Sequence, residues 1–291
     1  MPELPDLVHI VGVLAPELRL ARVARARVKD PIVLRVLLPG SFESLIEGRS
    51  FVDLERHGPF LRFGLSGRGG ADPLDLVMHL MLAGRLRLAA AGAKSLPHTA
   101  FALELEDGRE LAYADEKSMG KVYLGAAGRF EAIPGYQSQG VDVTGPLFTF
   151  EAFERLIAKR RHQARVFVMD QSALSAIGNA YADEILFEAG IHPKTPCSAL
   201  DRDKRRAFYD AILKTLAWGI DEVAKAGRPT EEKVRGHMRV RGRAGQACPR
   251  CGSVIRKAGV LGYDAFFCPA CQPDVAGRGF VDWRKLPPAV I

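Results

Sequence analysis

The sequence CPRCGSVIRKAGVLGYDAFFCPAC, residues 248–271, contains two Cys-x2-Cys pairs with sixteen residues between them. Each pair makes a tight turn that directs two thiolates at one ion, and two such turns complete a tetrahedron. The spacing therefore predicts a zinc-finger hairpin that binds one structural Zn2+ through Cys248, Cys251, Cys268 and Cys271. Redox-active pairs or four unrelated thiols are the alternatives. Cys197 stands apart and is expected to be a small buried residue.

The remainder of the chain has the composition of a globular protein with more than one domain. Of its 291 residues 47% are hydrophobic and 26% are charged, which supplies a core and excludes general disorder. No apolar run reaches the roughly 18 residues of a membrane span, and MPELPDLVHI lacks the features of a signal peptide. We therefore expect a cytoplasmic protein of bacterial type with no membrane partner.

The N-terminal part, residues 1–125, is predicted to be a β-sandwich preceded by a helix. Apolar residues at helical spacing open it, and Pro16 is expected to kink or split that helix. Short runs with Gly, Pro and Asp between them follow, and they are typical of strands: FVDLER, FLRFGLS, LDLVMHL, AFALELED and ELAYA.

The C-terminal part is predicted to be helical up to the zinc hairpin. Residues 126–148 have few periodic apolar positions and are interpreted as a linker, whereas residues 149–238 carry helical spacing. The zinc finger is assigned to residues 239–275, and residues 276–291 form a tail. The expected fold class is therefore α+β multidomain.

Basic residues are concentrated in two places along the chain. One cluster includes Arg160 and Arg165, and the other lies between Arg239 and Lys257, where no acidic residue interrupts it. A solvated surface is the usual explanation of such a run. Two clusters, one on a zinc hairpin, and a net charge of +7 favour a nucleic-acid partner.

The N-terminus PELPD carries candidate catalytic residues. Removal of the initiator methionine leaves Pro2 with a free secondary amine, and an α-amino group has a pKa of about 7.7–8.0, well below that of lysine. Attack on a sugar C1′ by this amine gives an iminium ion, which permits β-elimination of phosphate. Glu3 could transfer the protons. The alternative is that PELPD is only the start of a helix.

The stretch AIGNAYADEILFEAGIHP, residues 176–193, is a candidate phosphate-binding element. Gly178 and Asn179 suit a turn between two helices, where an amide and free backbone N–H groups can hold a phosphate. An ordinary helical hairpin is the alternative.

Together these motifs resemble the formamidopyrimidine-DNA glycosylase/endonuclease VIII family of base-excision repair enzymes. PELPD, AIGNAYADE and the two cysteine pairs occur in the family's order across essentially the whole chain. The resemblance implies an N-terminal β-sandwich, a helix–two-turns–helix domain, a zinc finger and a monomer that binds damaged duplex or single-stranded DNA, and that is nucleoid-associated in use. It implies that Pro2 is the Schiff-base nucleophile and Glu3 its acid–base partner. It also implies DNA contacts by His98, Lys117, Arg160, Arg165 and Asn179.

Several positions depart from the family pattern. Pro59 stands where the family usually has a lysine that helps in elimination, and Tyr263 replaces an arginine before the third cysteine. Leu82 and Met119 occupy the region of the residues that fill the gap left by a flipped base. The segment between Ala226 and Arg239 is short, which argues against an oxidised purine as the best substrate.

The sequence thus predicts a DNA glycosylase that removes damaged, oxidised bases and has AP-lyase activity through Pro2. The main alternative is a non-catalytic or monofunctional damage-binding protein on the same scaffold, for which Pro59 and Tyr263 are the reasons. A zinc-ribbon protein that binds RNA or acts in transcription would leave PELPD and GNAYADE unexplained.

Overall fold

Two β-sheets with a shared hydrophobic core form the first half of the chain in the computed structural model, which describes residues 1–69, 71–90 and 92–274. In chain order the strands are β1 (Val23–Val28), β2 (Leu34–Val36), β3 (Phe51–His57), β4 (Phe60–Leu65), β5 (Leu74–His79), β6 (Gly84–Ala89), β7 (Thr99–Leu105), β8 (Glu110–Asp115) and β9 (Lys121–Ala126). One sheet has the order β1-β7-β8-β6 and the other β2-β9-β5-β4-β3. A short helix α2 (Phe42–Ile46) precedes β3, and Phe42 packs on Phe101 with ring centroids 5.1 Å apart. The predicted β-sandwich is confirmed.

The first helix, α1 (Leu4–Leu18), is continuous, so the expectation that Pro16 splits it is wrong. Pro16 lies in the last turn, where its missing N–H removes a single hydrogen bond, and Arg19 still donates to the Ala15 carbonyl at 3.2 Å. Glu3 is the residue before the helix, and Asp6 accepts the Glu3 backbone N–H at 2.8 Å. These contacts fix the first residues of the chain to the body of the protein.

Residues interpreted from the sequence as a linker pack on the outside of the five-stranded sheet. Ile133 and Tyr136 are buried in a cluster with Phe60, Val77 and Tyr123, apart from the main core. The aromatic residues of this segment have no periodic spacing, so the sequence pattern did not indicate their burial.

The described part of the second half contains four α-helices. They are α3 (Phe150–Ala158), α4 (Ala164–Val168), α5 (Asn179–Glu188) and α6 (Arg202–Ala226). Both α1 and α5 pack against α6, which thereby joins the sandwich to the helical domain. A hairpin of β10 (Arg256–Val260) and β11 (Tyr263–Phe267) follows and packs on α5. Among the described residues, no helix is long and apolar enough to cross a membrane. The tail predicted at residues 276–291 lies outside the described ranges.

Candidate active site and nucleic-acid interface

The Glu3 side chain is buried against the start of α5. Its carboxylate oxygens accept backbone N–H groups of Gly178 at 3.1 Å, Ala180 at 2.9 Å and Tyr181 at 3.0 Å. Gly178 is required at this point, since a Cβ there would lie 2.6 Å from the Glu3 Cδ. Burial raises the pKa of the Glu3 carboxyl, while the hydrogen bonds from Tyr181 and Ala180 oppose that rise. A carboxyl with a raised pKa at a helix N-terminus is able both to hold a proton and to release it.

The N-terminal amine lies on the sandwich side of this carboxyl, where Pro2 is buried. The Met1 amine donates to the Leu82 carbonyl at 3.5 Å, and Lys233 donates to the same oxygen at 2.9 Å. Burial and the nearby Lys233 ammonium lower the pKa of the amine to about 6, so most of it is unprotonated at neutral pH. This amine belongs to Met1, and the buried Pro2 nitrogen becomes the terminal amine only when Met1 is removed.

Asn179 is the first residue of α5 and is half-buried beside Glu3. Its Oδ1 accepts a hydrogen bond from the Arg165 Nη2 at 2.8 Å. Because the amide oxygen accepts from this donor, the NH2 group is the remaining polar group of the side chain and can only donate. This is the polarity that a phosphate oxygen requires.

Arg165, in contrast, is buried, with 1% of its side chain exposed. Its guanidinium also binds the Asp183 carboxylate at 2.9 Å and the Asp264 carbonyl at 3.0 Å. Asp183 lies on α5 and Asp264 on β11, so Arg165 links the helical domain to the zinc hairpin. This burial leaves little of the guanidinium exposed for the direct phosphate contact that the resemblance implies, and the Nη2 bond holds the Asn179 amide.

His98 and Lys117 are exposed and lie near each other because both bind Asp115. The His98 carbonyl accepts the Asp115 N–H at 3.0 Å, and the Asp115 Oδ1 accepts the Lys117 N–H at 3.1 Å. Asp115 itself is only 3% exposed. Met119, in the same turn, leaves 37% of its side chain in solvent, and Leu82 leaves 48%.

Arg160 lies two residues after the end of α3, in the same half of the chain as Asn179. Its guanidinium binds Asp170 at 2.9 Å and is 27% exposed. One side of the group therefore remains open to solvent, while the ion pair fixes its position.

The turn between β3 and β4 consists of Gly58 and Pro59, and both are buried. Neighbouring cations do not compensate for the proline. Arg56 forms an ion pair with Asp142 and its side chain is 8% exposed. His57 bonds the Tyr136 carbonyl at 2.7 Å and stacks on that ring. The buried, paired Arg56 is therefore not available to replace a lysine at this turn, whereas His57 is exposed but has its Nε2 engaged.

The four cysteines of the zinc finger converge at the base of the β10–β11 hairpin. Their sulfurs all lie within 4.8 Å of one another, with Cys248 and Cys271 3.9 Å apart and Cys251 and Cys268 3.5 Å apart. A tetrahedral ion with Zn–S bonds of about 2.3 Å requires sulfurs about 3.8 Å apart. The donor set and its size fit zinc, so the predicted site is confirmed. Cys197 is buried, as expected, and its pKa is raised by that burial to about 11.

Part of the basic cluster near the hairpin is paired within the protein. Arg241 binds Asp183 at 2.8 Å, and Arg239 and Arg250 bind Glu188 at 2.8 Å and 3.2 Å. These arginines attach the hairpin to α5, so charge counting along the sequence overstated the cationic surface. Tyr263 stays 55% exposed at the start of β11.

Sequence reasoning missed Lys233, Arg235 and Asp6 as parts of the site. Arg235 binds the Asp6 carboxylate with two hydrogen bonds, of 2.8 Å and 2.6 Å. This contact fixes the segment that includes Lys233 close to the start of α1. The residues of this contact are 229 positions apart in the chain, so no local pattern could have indicated it. The acidic residue in the first turn of α1 was its only signal.

Comparison with known proteins agrees with this geometry. Three family models match in order: Formamidopyrimidine-DNA glycosylase N-terminal domain at residues 1–122, its H2TH domain at 140–228, and a zinc finger found in FPG and IleRS at 245–273. A formamidopyrimidine-DNA glycosylase of Moorella thermoacetica is 35% identical over 88% of this chain and 94% of its own length. That of Symbiobacterium thermophilum is 31% identical over 99% of this chain and 94% of its own length.

Solved structures give the same result. MutM (Fpg) of Thermus thermophilus superimposes with a TM-score of 0.79 at 29% identity, over 93% of this chain and 98% of its own. Lactococcus lactis Fpg superimposes with a TM-score of 0.82 at 25% identity, over 94% of this chain and 100% of its own. That structure is a complex with DNA that contains an oxidised pyrimidine. The chain belongs to the formamidopyrimidine-DNA glycosylase family.

Proposed function

We propose that this protein removes damaged bases from DNA and then cleaves the abasic site through an iminium formed by Pro2. One observation carries the proposal. The Glu3 carboxyl is held at the N-terminus of α5, where Asn179 is the first residue, and the Met1 amine two residues earlier donates to the Leu82 carbonyl. A nucleophile, a proton carrier and a phosphate donor are the groups that this reaction needs.

The reaction balances as follows once Met1 has been removed. The Pro2 nitrogen lone pair bonds to C1′, and the bond from C1′ to the base breaks. The base leaves with that electron pair, and the proton that the Pro2 nitrogen loses balances the proton that the base takes up. Glu3 gives a proton to the sugar ring oxygen as the ring opens, and the C1′–N bond becomes an iminium. Loss of a C2′ proton sends its electron pair toward the iminium and gives an enamine. The return of that pair forms the C2′–C3′ double bond, regenerates the iminium and expels the 3′ phosphate. The raised pKa of the Glu3 carboxyl supports its part as proton donor.

We further propose that Asn179, Arg160, His98 and Lys117 hold the DNA backbone, while Arg165 acts on Asn179 from behind. The zinc hairpin presents Tyr263 to the same DNA. Exposed Leu82 and Met119 fill the gap left by the flipped nucleotide, a role for which apolar side chains are suited. The Lactococcus lactis relative is solved in a complex with DNA that contains an oxidised pyrimidine, which supports an oxidised base as substrate. The expected location is the cytoplasm, on the chromosome, and the expected state is a monomer.

Borohydride trapping tests the proposal. The protein is incubated with duplex DNA that contains one abasic site, and reductant converts an iminium into a stable covalent adduct. We expect a protein–DNA band for the wild type and its loss in Pro2→Gly, with DNA binding retained in both. Mass spectrometry of the same sample establishes whether Met1 has been removed, since a retained Met1 blocks the Pro2 nitrogen. A full-strength band in Pro2→Gly would contradict the mechanism.

The second candidate is a DNA-binding protein without lyase activity, favoured by the buried Pro59 turn and its engaged neighbours Arg56 and His57. It predicts zinc-dependent binding to damaged DNA with no trapped adduct, although Met1 is absent. A base-release assay then separates a monofunctional glycosylase from a protein that only binds.

A further inference from the structure

The Asp183 carboxylate of α5 lies between two guanidinium groups. Its Oδ1 accepts a hydrogen bond from the Arg165 Nε at 2.9 Å, and its Oδ2 accepts one from the Arg241 Nη1 at 2.8 Å. The Asp183 side chain has no exposed surface, whereas that of Arg241 is 27% exposed. The Asp264 carbonyl of β11 also accepts from both arginines, at 3.0 Å from Arg165 and 2.8 Å from Arg241. The two guanidinium groups therefore share the same two acceptor groups.

This arrangement divides the donors of Arg165 between its partners. Its Nε binds Asp183, and its Nη2 binds the Asn179 Oδ1 at 2.8 Å and the Asp264 carbonyl. Arginine frequently binds a carboxylate through two parallel N–H groups, one for each oxygen. Here Arg241 occupies the second oxygen, so Arg165 binds Asp183 through Nε and keeps its Nη2 on Asn179.

Loss of the Arg241 guanidinium would take the donor away from the buried Asp183 Oδ2. A buried carboxylate oxygen that loses its partner is costly, and Arg165 is already bound to the other oxygen of the same group. A turn of the Arg165 guanidinium brings its Nη2 onto Oδ2 and completes the two-donor ion pair. The Asn179 amide oxygen then loses its donor, and the amide is free to rotate.

The zinc hairpin in turn holds Arg241. Its guanidinium lies over the Phe266 ring, 4.9 Å from the ring centroid, and its Nη1 donates to the Asp264 carbonyl. Both of these residues belong to β11, which ends one residue before the zinc ligand Cys268. The position of the hairpin therefore fixes Arg241 beside the carboxylate on α5.

We propose that Arg241 is a positioning residue for the phosphate-binding amide of Asn179. By occupying one oxygen of Asp183, it keeps the Arg165 Nη2 on the amide oxygen and so holds the NH2 group toward the DNA backbone. The inference deepens the proposed function, and it rests on the assignment of Asn179 to a backbone phosphate. It does not depend on the chemistry of Pro2.

The first test is a double-mutant cycle on DNA affinity. Fluorescence anisotropy with duplex DNA that contains a tetrahydrofuran abasic-site analogue measures the Kd without strand cleavage. Loss of a hydrogen bond to a charged group should raise the Kd about tenfold in Asn179→Ala. Arg241→Met should raise it about fivefold, of which about twofold is the loss of one positive charge. In the Asn179→Ala background only this twofold effect should remain, and losses that multiply in full would overturn the inference.

Arg239→Met is the matched control for the lost charge. Arg239 lies two residues before Arg241, its side chain is 25% exposed, and it also binds a carboxylate of α5, but that carboxylate is Glu188 at 2.8 Å. Its substitution should raise the Kd about twofold, by the same factor with and without Asn179→Ala. Arg241→Lys keeps a cation for the Asp183 Oδ2 and should restore most of the wild-type affinity. An equal effect of Arg239→Met and Arg241→Met would overturn the inference.

A second readout uses the protein without DNA. In proton–nitrogen NMR spectra, the side-chain NH2 signals of Asn179 are assigned by their absence in Asn179→Ala, and they report the surroundings of the amide. These signals should shift in Arg241→Met and stay in place in Arg239→Met and Arg241→Lys. The dispersion of the same spectra shows whether each variant is folded. If Arg241→Met does not fold, a displaced amide signal in the folded Arg241→Lys variant would overturn the inference.

The NMR readout also separates the inference from the proposed function. Equal affinity of the wild type and Asn179→Ala for DNA would refute the backbone role of Asn179, and the amide signals would still decide whether Arg241 positions that side chain. A direct contact of Arg241 with DNA would lower affinity but leave the amide signals of the free protein unchanged. Amide signals that do not move in a folded Arg241→Met variant would therefore overturn the inference.

Discussion

Gly178→Ala should disable the enzyme by displacing Glu3, although Gly178 carries no chemistry. Its backbone is extended, with φ −120° and ψ −164°, so alanine is allowed there and only the space is lacking. The added Cβ would lie 2.6 Å from the Glu3 Cδ and 2.8 Å from Oε1. Ordinary contact begins at 3.4 Å, so the carboxylate must move by about 0.8 Å.

This displacement has a cost in both stability and rate. The bond from the Ala180 N–H to Oε1, now 2.9 Å, would stretch to about 3.7 Å and no longer be a hydrogen bond. A hydrogen bond to a charged group contributes about 1.5–3 kcal/mol, so we expect the loss of this one to lower the free energy of unfolding by about that amount. A misplacement of about 1 Å at a reacting group costs on the order of 100-fold in rate.

Base release from damaged duplex DNA and urea unfolding measure the two effects. Gly12→Ala is the matched control, because a Cβ at Gly12 meets nothing within 4 Å and lies inside α1. There the same substitution should leave activity intact and raise the free energy of unfolding by about 0.5–1 kcal/mol. If Gly178→Ala released bases at the wild-type rate and unfolded at the same urea concentration, the assigned position of Glu3 would be refuted.

Three further predictions concern buried charges, the metal and pH. Arg165→Met should lower the free energy of unfolding by about 3–5 kcal/mol, because the fully buried Asp183 carboxylate loses the Arg165 guanidinium. In urea unfolding, the double variant Arg165→Met/Asp183→Asn should recover part of this loss. No recovery would contradict the ion-pair explanation. Chelation of zinc should abolish most DNA binding, as measured by fluorescence anisotropy. It should also increase hydrogen exchange around Ile255, which packs with Phe187. Unaltered binding would show that the hairpin does not contact DNA. Burial lowers the pKa of His79 from 6.5 to about 4, so the unfolded chain takes up the proton first as pH falls. The free energy of unfolding should therefore decline between these pH values by up to about 3 kcal/mol. In His79→Gln the plot of this free energy against pH should be flatter over that range, and an equal slope in both proteins would show that His79 does not titrate this way.

The local features of this protein were within reach of the sequence. The two cysteine pairs defined the zinc ligands, because ligand spacing in a knuckle is set by a few residues of backbone. Alternation in AFALELED identified β7, whose Phe101 and Leu103 are fully buried. The sequences VARARV and GRLRLA were not predicted as strands, because arginines interrupt their hydrophobic pattern. They form β1 and β6. Family resemblance added the roles of Pro2 and Glu3, which periodicity alone could not assign.

What the sequence determined by itself is therefore the set of chemical groups: an N-terminal amine, an adjacent carboxyl, an amide at a helix start and four thiolates. Only the tertiary structure decided which of them act together and which charges are already neutralised. Arg165, Arg239 and Arg241 appear cationic in the sequence, but folding pairs them with acids of α5. Lys233 shows no pattern in the sequence, but folding brings it to the N-terminus. The physical reason is that spacing along a chain sets local geometry, whereas protonation and pairing depend on groups hundreds of positions away that share the same few ångströms.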